Sequence, residues 1–257
     1  MPDTTTDASS LHGVRAYLMD VFGTVVDWKT SVTEEVRKRV RDAGLEVSGD
    51  IDVDAFVLEW RQGYMSTSKA IAGGGTGPSS VDVMHRQLLE KMLASPKWEA
   101  LGAVWSQDAR DDLSMVWHRL SGWKDSSEGL RLLKKETIVG ALSNGNIALL
   151  VDLSKYADLT WDVVLSAELF GTYKPNGSVY LGAAHHLSLK PSECAMVATH
   201  VWDLRGAAAQ GMRTVYVRRP EEGIRSDDDK NVKAKKDGGE VDVVVDSLVE
   251  LAGLMKA

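Results

Sequence analysis

Four short stretches of this sequence end on side chains able to do chemistry. Asp20 closes the apolar run Ala16-Tyr17-Leu18-Met19 and is followed by Phe22, the turn residue Gly23 and Thr24. Ser143-Asn144-Gly145-Asn146 closes a second apolar run, Tyr173-Lys174-Pro175 follows a third, and Thr199-His200-Val201-Trp202-Asp203 closes a fourth. An acid nucleophile, a hydroxyl and amide pair, a lysine and a second acid at successive strand ends have the makings of one nucleophilic site. Each member alone also has an ordinary reading: Asp before Gly caps turns, Ser-Asn-Gly is common loop chemistry, and a Lys before Pro is usually on the surface. Their order and spacing favour a shared site.

Bringing the four stretches together requires parallel strands whose carboxyl ends meet at one edge of a sheet. The first strand is expected over residues 14–20. From 31 to 43 the residues Val32, Val36 and Val40 recur every four positions among charges, the mark of an amphipathic helix. Helical periodicity continues over 53–65, 81–93 and 108–120, broken at Gly73-Gly74-Gly75-Thr76-Gly77-Pro78 and at Ser95-Pro96. No strand is evident in this unit, which spans 31–121. After Gly122 helix and strand alternate: helices over 128–135, 147–156, 179–187, 204–210 and 247–255, strands over 137–143, 161–166, 193–199, 213–217 and 241–245. Strands separated by single helices imply right-handed crossovers and a parallel sheet covered on both faces. The expected fold is α/β, a doubly wound, Rossmann-like core formed by 13–30 and 122–257 with an inserted α-helical unit at 31–121. Residues 1–12 read as a disordered tail, and 220–240, charged and without apolar period, as a mobile loop lying over the core edge.

Composition removes other classes of function. The chain has 257 residues and a net charge of -7, with its one short basic cluster, Lys233 to Lys236, inside an acidic loop, so no nucleic-acid surface is expected. No segment is apolar enough for a signal peptide or a membrane span, which points to a cytoplasmic protein. Cys194, the single cysteine, sits in an apolar run and reads as a buried structural thiol. His185-His186 lacks metal-ligand spacing, and the glycine run at 73–77 lacks the Lys-Ser or Lys-Thr ending of a nucleotide loop. Of eight tryptophans, Trp60 and Trp202 have positional reasons to line a pocket.

At Asp20-Val21-Phe22-Gly23-Thr24, Leu142-Ser143-Asn144-Gly145, Tyr173-Lys174-Pro175-Asn176-Gly177-Ser178-Val179-Tyr180 and Val201-Trp202-Asp203 the sequence resembles the haloacid dehalogenase superfamily. Within it, the match is to the type II (S)-2-haloacid dehalogenases. Glu59-Trp60-Arg61-Gln62 resembles that family's arginine-bearing segment, which makes the helical insert its cap domain. The resemblance implies that Asp20 attacks C2 of a short 2-halocarboxylate, releasing halide and leaving an ester that water cleaves. It further implies that Lys174 keeps Asp20 ionised, that Asp203 activates or positions the water, and that Thr24 and Ser143 hold carboxylates by hydrogen bonds. Tyr180 would support Lys174 and the pocket, Arg61, Asn144 and Trp202 would cradle the halide, and Phe22, Trp60 and Trp202 would supply dry walls. A homodimer is compatible by analogy alone.

The choice between carbon and phosphorus chemistry turns on position 22. Related phosphatases carry a second aspartate there to protonate the leaving group, and general acid catalysis is worth about 10²- to 10⁴-fold. This chain has Phe22, and His200 stands where the phosphatase pattern commonly has another acid for Mg²⁺. A halide leaves as an anion without a proton, so no metal and no cofactor is expected. The alternatives are a Mg²⁺-dependent phosphatase of the same superfamily and a non-catalytic binding protein that kept the fold. One departure concerns the Ser-Ser-Asn stretch usual in the dehalogenases, which here is Ala198-Thr199-His200. His200 can take the asparagine's hydrogen-bonding place, serve as a pH-dependent base near Asp203, redirect the chain to another substrate, or merely pack below the strand end.

Overall fold

The computed structural model describes residues 8–45, 51–224 and 226–255. Its centre is β1 (Ala16–Met19), whose residues are all fully buried. A strand covered on both faces carries an unbroken apolar run instead of an alternating one, and that is what these four residues show. The chain then passes through β2 (Val26–Asp27) into five helices: α1 (Trp28–Asp42), α2 (Val53–Ala72), α3 (Val81–Leu93), α4 (Glu99–Val104) and α5 (Gln107–Ser114). A 3-10 turn at Met115–His118 leads back through β3 (Ser121–Gly122). β2 and β3 pair antiparallel, Val26 with Gly122 and Asp27 with Ser121, and so close the helical excursion at its root.

The rest is α6 (Ser126–Leu133), β4 (Ile138–Ser143), α7 (Ile147–Tyr156), β5 (Val163–Ser166), α8 (Gly177–His186), β6 (Cys194–Ala198), α9 (Val201–Ala208), β7 (Arg213–Val217), β8 (Val243–Val245) and α10 (Leu248–Leu254). The six-stranded sheet has the order β5-β4-β1-β6-β7-β8 and every pairing is parallel. The chain therefore builds outward from β1 on one side, through β4 to β5, and then returns to the other side at β6. This reversal opens a crevice at the carboxyl end of β1, the place where such sheets bind ligands.

The doubly wound core with a helical cap is as expected, and α3, α7 and β7 have the expected limits. Several expectations need correction. α1 starts at Trp28 because Asp27 accepts the Thr30 N–H at 3.0 Å as its cap. α2 runs on to Ala72, stopping at Gly73, and α5 ends at Ser114, where the expected helix tightens into the 3-10 turn. α4 and the β2–β3 ribbon were not anticipated; elements this short have too few residues to show a period. Residues 8–12 are not part of a tail: Ala8–Leu11 form a 3-10 turn that buries Leu11, while 1–7 lie outside the described residues. The segment 220–240 is pinned through polar contacts that hydropathy does not register. It contains 3-10 turns at Asp227–Asp229 and Lys235–Asp237 and buries Glu222 and Asp229, whose Oδ1 accepts the Val201 N–H at 2.8 Å.

Candidate active site

Asp20 leaves β1 at the mouth of the crevice and is almost fully buried. Its backbone N–H bonds to Val197 O at 2.9 Å, continuing the register with β6 and fixing where the carboxylate points. Thr24, across the turn at Gly23, donates its hydroxyl to Asp20 Oδ2 at 2.8 Å and accepts the Thr199 N–H at 3.0 Å. Lys174 Nζ donates to Asp20 Oδ1 at 2.9 Å and to Asp203 Oδ2 at 2.5 Å. Burial opposes ionisation of Asp20, but the charges of Lys174 and His200 outweigh it and hold the carboxyl well below its ordinary value. Lys174 is pulled down by burial and pushed up more strongly by Asp20 and Asp203, so it stays an ammonium.

Asp203 is fully buried, and its second oxygen, Oδ1, accepts the Tyr180 hydroxyl at 2.6 Å. With one oxygen on Lys174 and the other on Tyr180, it does not line the cavity beside Asp20. The expected part in handling water does not suit this placement; Asp203 anchors the lysine from behind, and Tyr180 supports it through Asp203. Burial raises the Asp203 carboxyl, partly offset by Lys174.

The insert contributes Arg61, Tyr64 and Met65, which share one face of α2. The Arg61 guanidinium carbon lies 5.5 Å from the Phe22 ring centroid, 5.1 Å from Trp28, 4.8 Å from Tyr64 and 6.0 Å from Trp117. It is buried, it makes no salt bridge among the described residues, and its Nη1 has no hydrogen-bond partner. Trp60 is the neighbour that sequence reasoning misplaced. One position along a helix turns the side chain by about 100°, so Trp60 points into the cap interior, donating Nε1–H to His85 O at 3.0 Å and packing on Phe56 and Trp117. It does not line the cavity, whereas Tyr64, which the sequence reading omitted, does.

Phe22, Ser143, Asn144, His200 and Trp202 all reach the cavity. Ser143 Oγ accepts the Gly145 N–H at 3.2 Å. Asn144 Oδ1 accepts the Lys174 N–H at 2.7 Å. The inner chamber holds about 10 Å³, room for roughly one water. It shares the lining residues Met65, Asn144, Lys174 and Trp202 with an outer chamber of about 350 Å³ that includes Lys69 and Asp228.

His200 does not merely pack below a strand. Its Nδ1 lies 3.5 Å from Asp20 Oδ2 and its Nε2 lies 3.6 Å from Glu222 Oε1, with the Trp202 ring 5.9 Å away. Its neighbours are thus Asp20 and Glu222, not Asp203. Burial pulls the imidazole down, yet the two carboxylates prevail and push it up to about 9. Glu222 is a further residue that sequence reasoning missed, standing behind His200. It follows β7, and the rule that selected residues past the ends of β1, β4 and β6 applies equally to that strand.

The donor set does not suit a divalent cation. The carboxylates that would chelate it, Asp20 and Asp203, are bridged by Lys174, position 22 is aromatic, and among the described residues no group of three or more His, Cys, Asp or Glu is arranged to hold a metal.

Residues 14–211 match the family described as haloacid dehalogenase-like hydrolase. The (S)-2-haloacid dehalogenase 4A of Burkholderia cepacia is 29% identical over 217 residues, 80% of this chain and 84% of that protein. Among solved structures, the L-2-haloacid dehalogenase PA0810 superposes with a TM-score of 0.81 at 34% identity, covering 95% of this chain and 99% of its own. The defluorinating L-2-haloacid dehalogenase Rha0230 superposes with a TM-score of 0.83 at 35% identity, covering 95% and 96%.

Proposed function

The chain belongs to the haloacid dehalogenase-like hydrolase family, and within it we propose that it is an (S)-2-haloacid dehalogenase, converting short 2-haloalkanoic acids to (R)-2-hydroxy acids and halide. The observation that carries this reading is a buried carboxylate kept ionised by Lys174 that faces the same chamber as a buried guanidinium making no salt bridge among the described residues and leaving its Nη1 without a hydrogen bond. A buried cation in an aromatic cage is at its best when an anion joins it, and the departing halide is that anion.

Asp20, oriented by Thr24 and Lys174, attacks C2 from the side opposite the halogen. The carbon–halogen bond breaks as the carbon–oxygen bond forms, inverting C2 and leaving an ester on Asp20. Arg61 receives the halide, with Asn144 and Trp202 completing its surroundings. Phe22 keeps the chamber dry and supplies no proton, which a halide does not need. Water then opens the ester at Asp20 Cγ. No metal or cofactor takes part in this scheme.

Halide release from each enantiomer of 2-chloropropionate in excess chelator, run beside phosphate-ester hydrolysis with added Mg²⁺, tests the proposal, with Asp20→Asn as the blank. Release from the (S) enantiomer only, absent in the variant, is the expected result. Mg²⁺-dependent phosphate release without halide would assign the site to phosphoryl chemistry instead.

A further inference from the structure

We propose that His200, positioned by Glu222, is the acid–base group of the second half-reaction and takes the proton of the water that opens the Asp20 ester. This rests on the dehalogenase reading and goes beyond it, since in this structure Asp203, the residue the resemblance assigns to the water, does not line the chamber beside Asp20. Both Asp203 oxygens are engaged, by Lys174 and by Tyr180, behind the chamber wall. His200 Nδ1, in contrast, is buried without a hydrogen-bond partner, 3.5 Å from Asp20 Oδ2, and faces the water-sized chamber that Asp20 also lines. A general base must reach its proton directly or through one water, and among these groups His200 does so.

Glu222 is built to hold that ring. Its Oε1 accepts the Trp28 indole N–H at 2.7 Å and its Oε2 accepts the Ile224 N–H at 2.7 Å, so the carboxylate is fixed from both sides while Oε1 lies 3.6 Å from His200 Nε2. The nucleophile turn makes room for the pair: a Cβ on Gly23 would fall 2.9 Å from Glu222 Cγ and 3.2 Å from His200 Cε1. The ionisable groups around the imidazole are Asp20 from the end of β1 and Glu222 from the segment after β7, with Lys174 and Arg61 elsewhere on the chamber wall and Arg61 also acting on Glu222. Glu222 is a positioning residue; His200 is the catalytic one.

Charge then sets the order of events. In the free enzyme two carboxylates hold the imidazole protonated. Alkylation of Asp20 removes one of these charges, and His200 loses its proton to solvent; this is the proton of the net reaction, R–X plus water giving R–OH, X⁻ and H⁺. Neutral His200 next accepts a proton from water as the water oxygen bonds Asp20 Cγ. The bond between Cγ and the substrate oxygen breaks, that oxygen takes the proton back, and the acid proton left on Asp20 returns to His200. The enzyme ends as it began.

The test uses His200→Asn and Glu222→Gln in the full chain, with quenched-flow halide release, intact mass and kcat against pH. His200→Asn is expected to release about one halide per site and then slow at least about a hundredfold, with the ester mass accumulating on Asp20. Glu222→Gln is expected to lower kcat and move its acid limb to lower pH, because Glu222 is the anion that still raises His200 once Asp20 is esterified; a merely structural loss would leave that limb in place. Wild-type halide release together with steady turnover and no ester in His200→Asn, or with an unmoved limb in Glu222→Gln, would overturn the inference and leave the dehalogenase reading intact. A wild type that releases no halide would remove both. Should His200→Asn not fold, the Glu222→Gln profile decides.

Discussion

Lys174 Nζ donates to Asp20 Oδ1 across 2.9 Å with both groups buried. The pair couples stability to reactivity, because Lys174 is also the cation that compensates Asp203. Removing one partner of a buried ion pair typically costs about 3–5 kcal/mol. Lys174→Met is therefore expected to lose roughly that much in chemical denaturation. Asp20, freed of the charge that holds its carboxyl down, should titrate at higher pH, so the acid limb of halide release should move upward. The two readouts together separate loss of ionisation from loss of fold.

On the proposed reading, Arg61 would stabilise the halide by its shape as well as its charge. The guanidinium lies within about 6 Å of four ring centroids. Arg61→Lys keeps the charge and loses the planar contact and the fork of donors. Halide product inhibition should weaken about tenfold or more, roughly 1.4 kcal/mol at that factor, while the fold, read by thermal melting, stays close to wild type. Unchanged halide inhibition would separate Arg61 from the leaving group.

Gly23 has φ of +88° at the turn after the nucleophile. Left-handed backbone costs an ordinary residue roughly 1–2 kcal/mol, and here a Cβ also meets Glu222 and His200. Gly23→Ala is expected to lower stability by at least that amount and to reduce halide release through displacement of the Glu222–His200 pair. Denaturant midpoints and turnover measured on one preparation check both parts.

A second histidine joins cap to core. His118 Nε2 lies 2.9 Å from Asp82 Oδ1 at the start of α3, and its Nδ1 lies 2.8 Å from Asp152 Oδ2 in α7. Burial lowers this imidazole, but the two aspartates outweigh it and raise it above the ordinary value. A raised histidine contributes stability in full below its unfolded value of about 6.5, and that contribution is lost as pH rises through its folded value. The thermal midpoint of wild type should therefore exceed that of His118→Gln most at pH 6, with the gap narrowing on the alkaline side. A gap independent of pH would show that the contribution comes from packing.

How far the sequence reveals this architecture depends on what each segment buries. α3 and α7 carry apolar residues at helical spacing, and β1 is an apolar run that stops on Asp20, so the crevice and the group at its mouth were legible. Lys174 and Thr24 both hydrogen-bond to Asp20, because strand ends in a parallel sheet converge. Arg61 and Trp60 were both expected at the pocket, but adjacent helical residues face different directions, and the contacts of α2 leave Arg61 on the cavity and turn Trp60 into the cap. Asp203 was assigned to water because spacing brings it to the site without showing that Lys174 and Tyr180 engage both of its oxygens. Glu222 stayed hidden in a charged segment that is held by single polar contacts, to Trp28, Ile224 and His200, which leave no period.

The most direct measurement is a single turnover in ¹⁸O-labelled water with enzyme in excess over a 2-haloacid. If Asp20 is the nucleophile, its own oxygen goes to the product: the hydroxy acid comes off unlabelled and the label appears in the peptide containing Asp20. Label in the hydroxy acid with none on Asp20 would mean that water attacks the substrate directly, and would contradict the account.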